Sequence, residues 1–142
     1  MPLLLRIGQV LSIVGACFFG LIGVSMSTGC GDNRKIYSAF ETSWGVGLYT
    51  ASAWVNTLLL IAVVIGLRRR KPWVPYVAVG FWVWEVVSTN LLAVARHTGA
   101  AASWTVDLTA GFGAVIAFLY FFVKPSVRAY YQSLRPAEVS PV

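Results

Sequence analysis

Charged residues are scarce in this chain, and long apolar runs take their place. Lys, Arg, Asp and Glu together make up 11% of the 142 residues, whereas hydrophobic residues make up 58%. Soluble globular domains carry about 25% charged residues, and a chain of this length has too little interior to hide so much apolar surface. The composition therefore predicts an integral membrane protein whose excess apolar surface is covered by lipid.

Cysteine and histidine are nearly absent as well. Two cysteines, Cys17 and Cys30, exclude a disulfide framework and zinc-type ligand spacing, and the single histidine, His97, excludes a multi-histidine metal site. Cys17 lies inside an apolar run, where we interpret it as a helix-packing residue. Phosphate-cradling loops, zinc helices, nucleophile elbows and dinucleotide fingerprints are missing too. We therefore predict no cofactor, no nucleic-acid partner and no enzymatic activity, the alternative being a membrane-embedded acid–base enzyme that uses Glu85 or Asp107 on a lipid substrate.

Four apolar runs are each about 20 residues or longer, which at a rise of 1.5 Å per residue is enough to cross a ~30 Å hydrocarbon core. They cover residues 7–26, 44–67, 76–95 and 104–123. The runs are continuous and do not alternate with a period of two, and their connections are short. We expect an all-α, antiparallel four-transmembrane-helix bundle in one domain, followed by a juxtamembrane tail over residues 124–142.

A cleaved secretory signal is an alternative interpretation of the first run. Arg6 precedes the run, and Ser27-Thr28-Gly29-Cys30 at its end is loosely similar to a lipoprotein cleavage site. We favour a retained span, because the run is long enough to cross a bilayer.

The cations are divided unevenly between the two sides that four spans would create. Eight of the 11 fall on the side of the termini and the central loop: Arg6, Arg68, Arg69, Arg70, Lys71, Lys124, Arg128 and Arg135. The remaining three fall on the other side: Arg34, Lys35 and Arg96. The positive-inside rule then predicts a multi-pass protein of a bacterial inner membrane, with both termini in the cytoplasm.

The same cations are candidates for contact with anionic lipids or with the acidic face of a partner subunit. The candidates are Arg68, Arg69, Arg70, Lys71, Lys124 and Arg128. A cation close to an anionic membrane surface contributes roughly 1 kcal/mol to binding. Determination of the topology alone would also explain their positions.

Glu85 is the most informative residue for function. It lies about ten residues into the third run from the cytoplasmic side, near the bilayer midplane. A carboxyl group at that depth is costly, so we expect it to face the bundle interior and to be protonated or paired with a donor.

Polar residues on the second run form a matching stripe. Tyr49, Ser52 and Asn56 are spaced i, i+3, i+7, which places them on one helix face, and Asn56 lies at nearly the depth of Glu85. We predict that Asn56 or a hydroxyl contacts Glu85, while Ser88 and Thr89 continue the stripe on the third run. The stripe is either interhelical hydrogen bonding or a ligand or proton site.

A second candidate group lies at the outer interface. Asp107 is about one turn into the fourth run, within reach of Arg96 or His97 across a short loop. We predict a structural ion pair there.

Two segments carry a resemblance to a known family. Residues 68–75 (RRRKPWVP) form the first, and the second is the end of the fourth run, where Tyr120-Phe121 is followed by Ser126, Arg128 and Tyr130-Tyr131. This pattern resembles an uncharacterised family of four-span bacterial inner-membrane proteins, a domain of unknown function. The resemblance implies four spans with cytoplasmic termini and brings no activity with it.

Two functional hypotheses follow from the sequence. The first is an accessory or structural subunit of a larger membrane complex, because no catalytic constellation is present and the loops are small. The second is a carrier or binding protein for a proton-coupled, cationic, or lipid- or quinone-like ligand centred on Glu85. The expected partners of an accessory subunit are the lipid bilayer and other membrane protein subunits.

Overall fold

The structure is a computed structural model that describes residues 3–29, 43–95 and 104–134, apart from the side chains of residues 43 and 104–107. Every regular element in these ranges is helical. In chain order they are α1 (Leu3–Thr28), α2 (Ser43–Arg68), α3 (Val74–Ala95), α4 (Trp104–Phe118, extended by a π-helical segment, Leu119–Val123) and α5 (Pro125–Ser133).

Three of these helices, α1, α2 and α3, are long and apolar enough to cross a membrane. The fourth candidate passes the same test only as a pair, Leu108–Val123 together with Pro125–Ser133, and the two parts are bent by 63° relative to each other. The fold is therefore all-helical and compatible with a multi-pass membrane protein. The four-span topology stays a prediction.

The helices pack mainly against their neighbours in the chain, α1 on α2, α2 on α3 and α3 on α4. Glycines let α1 approach α2 closely. A Cβ atom on Gly15 would lie 2.9 Å from Leu60 Cδ1, and one on Gly23 would lie 3.0 Å from the Trp54 ring. The Trp54 indole N–H also donates to Ser27 Oγ at 3.1 Å. Small residues thus allow the two helices to pack closely. This packing matters because the hydrophobic effect does not drive helices together within a bilayer.

A tight turn joins α2 to α3 and carries the basic loop. The Lys71 N–H donates to the Gly66 carbonyl at 2.8 Å and the Arg70 N–H to the Leu67 carbonyl at 3.3 Å, while Arg70 adopts a φ of 51°. These are the bonds and the left-handed residue of a Schellman motif. The motif ends α2 and reverses the chain, so the four cations of the loop are presented together.

A cluster of buried side chains closes the end of the bundle that carries this turn, which we call the basic end. Its members come from the start of α1, the end of α2, the start of α3, and α5: Leu5, Val63, Leu67, Val74, Val127 and Tyr131. Because the cluster joins the beginnings of α1 and α3 to the end of α2, successive helices run in opposite directions.

The helix α5 turns away from α4 at Lys124 and Pro125. A residue before proline is restricted to extended conformations, and Lys124 has a φ of −64° and a ψ of 116°. Pro125 then occupies the first turn of α5, where its missing N–H costs nothing. Val127 and Tyr131, spaced i, i+4, are buried on the inner face of α5, whereas Arg128 and Gln132 are exposed. An amphipathic helix therefore lies within the segment that we expected to be a tail.

The interpretation of Cys17 as a helix-packing residue is wrong. Cys17 is a free, exposed cysteine. On a helix that is apolar on nearly every side, composition does not reveal which face meets lipid and which meets a neighbouring helix, because both surroundings are apolar.

Two glycines of α4 provide a matched test of the packing between α3 and α4. A Cβ atom on Gly113 would lie 2.5 to 2.7 Å from three ring atoms of Trp82, whereas one on Gly111 would meet nothing within 4 Å. We expect Gly113→Ala to lower the free energy of unfolding by about 1–3 kcal/mol through overpacking. Gly111→Ala should leave it unchanged or raise it by up to about 1 kcal/mol, because alanine favours helix. Unfolding in a denaturing detergent, followed by tryptophan fluorescence, measures both; equal effects would contradict this packing.

Candidate functional site

Buried polar side chains lie on α2 about halfway along the bundle. Ser52, Asn56 and Thr57 are 5%, 3% and 7% exposed, and Tyr49 is half-buried one turn earlier. The Thr57 hydroxyl donates to the Ala53 carbonyl of its own helix at 2.8 Å. Asn56 is the member of the stripe whose side chain hydrogen-bonds to another helix.

Asn56 and Glu85 form a side-chain hydrogen bond between α2 and α3. Asn56 is the fourteenth residue of the 26 in α2, and Glu85 is the twelfth of the 22 in α3. The contact predicted from the spacing of the polar residues is therefore present, and it lies midway along both helices. We call Ser52, Asn56, Thr57, Glu85 and Ser88 the polar layer.

The rest of the polar stripe on α3 is less engaged. Ser88 is 2% exposed, and its hydroxyl donates to the main-chain oxygen of Glu85 at 3.3 Å. Thr89 is half-buried one turn beyond Glu85 on the same face. The Ser88 hydroxyl thus bonds to the main chain at Glu85, whereas the Glu85 carboxyl group is bound by a side chain of α2.

Two oxygen atoms of the layer have no hydrogen-bond partner among the described residues: Asn56 Oδ1 and Glu85 Oε1. The Asn56 amide N–H is the donor available for the bond to the Glu85 carboxyl group. A protonated carboxyl group can donate a hydrogen bond as well as accept one. Asn56 Oδ1 is an acceptor without a donor, and a protonated Glu85 would carry an O–H donor.

The remaining predicted site residues fall elsewhere. Asp107 lies in α4, but its side chain, like Arg96 and His97, falls outside the described residues, so the outer ion pair stays a prediction. Seven cations are exposed at the basic end: Arg6, Arg68, Arg69, Arg70, Lys71, Lys124 and Arg128. The Lys124 Nζ lies 5.3 Å from the centroid of the Tyr120 ring, a cation–π contact where the span ends.

Sequence reasoning missed a cleft of about 360 Å³ at the basic end, between the start of α3, the π-helical segment and α5. Its walls are formed by Pro72, Pro75, Tyr76, Phe121, Phe122, Arg128, Tyr131 and Gln132. None of the polar layer belongs to it. The available signal was the apolar spacing of residues 127, 130, 131 and 134, which is the i, i+3, i+4, i+7 pattern of an amphipathic helix.

Tyr131 forms part of the cleft wall and of the buried cluster behind it. Its ring packs edge-on against Phe121, with centroids 6.0 Å apart, and its hydroxyl has no hydrogen-bond partner in the described part of the chain. Burial, followed by the neighbouring Tyr130 and Tyr120, raises the pKa of Tyr131 above its ordinary value. This side chain is therefore neutral at physiological pH and anchors α5 by packing.

A double-mutant cycle tests the contact in the polar layer. We expect Asn56→Ala and Glu85→Ala to show a coupling energy of about 0.6–1.7 kcal/mol, the range of hydrogen bonds between membrane helices. The control cycle pairs Asn56→Ala with Asn90→Ala, because the exposed Asn90 amide donates to the Val86 carbonyl of its own helix at 2.8 Å. That pair should be additive within about 0.5 kcal/mol. Detergent unfolding measures both cycles, and additivity in the first would show that the side chains do not interact.

No protein-family model, curated protein or solved structure matches this chain. The resemblance of residues 68–75 and of the end of α4 to the uncharacterised four-span family is accordingly still a prediction.

Proposed function

We propose that the chain is a noncatalytic accessory or structural subunit of a larger membrane protein complex, in a bacterial inner membrane with both termini cytoplasmic. One observation carries the proposal. Helix α3 packs against both α2 and α4, yet 11% of its most apolar stretch is buried within the chain, compared with 44% for α2. Although α3 has a neighbour on each side, it is the least covered of the three membrane-length helices.

The face of α3 that bears its carboxyl group is only partly covered within the chain. Glu85 is only partly buried, as are Phe81 and Thr89, one turn away on either side. An acidic group at the centre of a membrane helix costs about 2.5–3.5 kcal/mol to insert, and such groups normally face protein. A further helix packed on this face would bury the part of Glu85 that Asn56 leaves exposed.

The chemistry of the polar layer supports a structural role. Within the described ranges, Glu85 is the one carboxyl group whose side chain is placed, and no group of three His, Cys, Asp or Glu side chains there could hold a metal ion. General acid–base catalysis would need a second positioned group. A hydrogen bond that joins two helices needs none.

A carrier or binding protein for a proton-coupled, cationic, or lipid- or quinone-like ligand is the second candidate. The observation that favours it is the pair of unpartnered oxygens, Asn56 Oδ1 and Glu85 Oε1. The two candidates differ in their response to Glu85→Gln. Glutamine keeps a hydrogen-bonding side chain but carries no titratable proton, so a structural subunit should tolerate it and a proton-coupled carrier should lose its activity.

Purification from the native membrane in a mild detergent, with mass spectrometry of everything that copurifies, tests the leading proposal. We expect a stoichiometric larger complex. Thr89→Trp, on the partly covered face, should reduce the yield of copurified partner about tenfold, the equivalent of one overpacked contact. Val87→Trp is the matched control, because Val87 is exposed on the opposite face.

The thermal stability of each isolated variant separates loss of the partner from loss of the fold. A wild-type chain that purifies alone, or a partner lost with Val87→Trp but not with Thr89→Trp, would contradict the proposal.

A further inference from the structure

We propose that the cleft at the basic end is a binding site for the phosphate headgroup of an anionic phospholipid, with the acyl chains leaving it along the outer surfaces of α3 and α4. This site is separate from the polar layer, and it does not depend on whether the chain has partner subunits.

The depth of the cleft fits a lipid headgroup. Tyr76 is the third residue of α3, and Phe121 and Phe122 belong to the last turn before the chain bends at Lys124. The cleft therefore opens where the apolar helices end and the cations begin, which is the level of lipid phosphates and of interfacial aromatic side chains. A water-soluble ligand does not require a site at this level of the bilayer.

The cleft has one polar side and one apolar side. Arg128 and Gln132 are spaced i, i+4 on the exposed face of α5, so the guanidinium and carboxamide donors lie side by side. Opposite them, Pro75 and Tyr76 begin α3, and the Tyr76 ring packs edge-on against Phe122 with centroids 5.4 Å apart. Donors for phosphate oxygens thus face a wall that accepts glycerol and acyl carbons.

The charge of the cleft favours an anion. Glu85 is the sole carboxylate with a described side chain, and it lies midway along α3, so Arg128 has no acidic partner in the described part of the chain. The cations at residues 68–71 lie at the same end of the bundle. An arginine guanidinium matches the geometry of a phosphate, and surrounding cations add long-range attraction to an anionic surface.

The size of the cleft sets what it holds. At about 360 Å³ it is at the lower end of the range for small-molecule sites, which suits a glycerophosphate headgroup and excludes a whole lipid. The acyl chains must therefore leave the cleft. The exposed apolar side chains of α3 and α4, such as Val83 and Phe118, offer them a surface.

The test is lipid binding to the delipidated chain in detergent, measured by native mass spectrometry. Palmitoyl-oleoyl phosphatidylglycerol is the probe, and phosphatidylcholine with the same acyl chains is the neutral comparison. We expect the anionic lipid to bind more tightly, and Arg128→Gln to weaken its binding about fivefold. Arg6→Gln removes the same charge from an exposed position outside the cleft, and it should change the affinity by less than about twofold.

Further experiments distinguish a specific lipid site from nonspecific electrostatic attraction and from a site for free phosphate. Phe122→Ala should weaken binding of both lipids, because it removes part of the apolar wall while leaving every cation in place. Unfolding of each variant without added lipid verifies that the fold is intact. Equal losses for Arg128→Gln and Arg6→Gln would overturn the proposal in favour of diffuse electrostatics. Competition by inorganic phosphate as effective as that by the lipid would overturn it in favour of a soluble anion.

Discussion

A backbone N–H or a charged side chain that enters hydrocarbon without a partner costs several kcal/mol. Three long helices satisfy their backbone groups internally, and the cations of the described ranges lie near helix ends. Glu85 is the exception to this segregation. Its carboxyl group lies midway along α3 and is held by Asn56 of the neighbouring helix. The α2–α3 pair is therefore the part of the bundle where helix register matters most, because a shift of one residue would rotate the amide away from the carboxyl group.

At the other interfaces, close backbone approach contributes to helix association, as the side-chain hydrogen bond does between α2 and α3. Gly15 and Gly23 admit Leu60 and Trp54 from α2, and Gly113 admits the Trp82 ring from α3. Lipid tails are as apolar as the helices, so association depends on contact area and on the few polar bonds available. Large side chains opposite glycines maximise that area. The polar layer then selects one register among the many that close packing alone would tolerate.

The sequence predicts the elements that depend on local composition. Helices over the apolar runs follow from run length, and the Asn56–Glu85 contact follows from equal depth and the spacing of polar residues along α2. The exposure of Cys17 could not be predicted, since lipid and helix select the same side chains. The cleft could not be predicted either, because its walls come from three segments brought together by the bend at Lys124 and Pro125. The helical pattern of residues 127–134 was visible, but only the docking of Val127 and Tyr131 into the cluster shows which face of α5 is turned outward.

The buried cluster at the basic end connects the packing of the helices to the cleft. Leu5, Val74 and Tyr131 tie the start of α1 and the start of α3 to α5, and Tyr131 also forms a wall of the cleft. An anion bound there occupies the native arrangement only, since unfolding of α5 separates Arg128 from Tyr76. Binding to the native state alone stabilises it in proportion to the logarithm of ligand concentration. A lipid at this position would thus stabilise the end of the bundle where seven exposed cations repel one another.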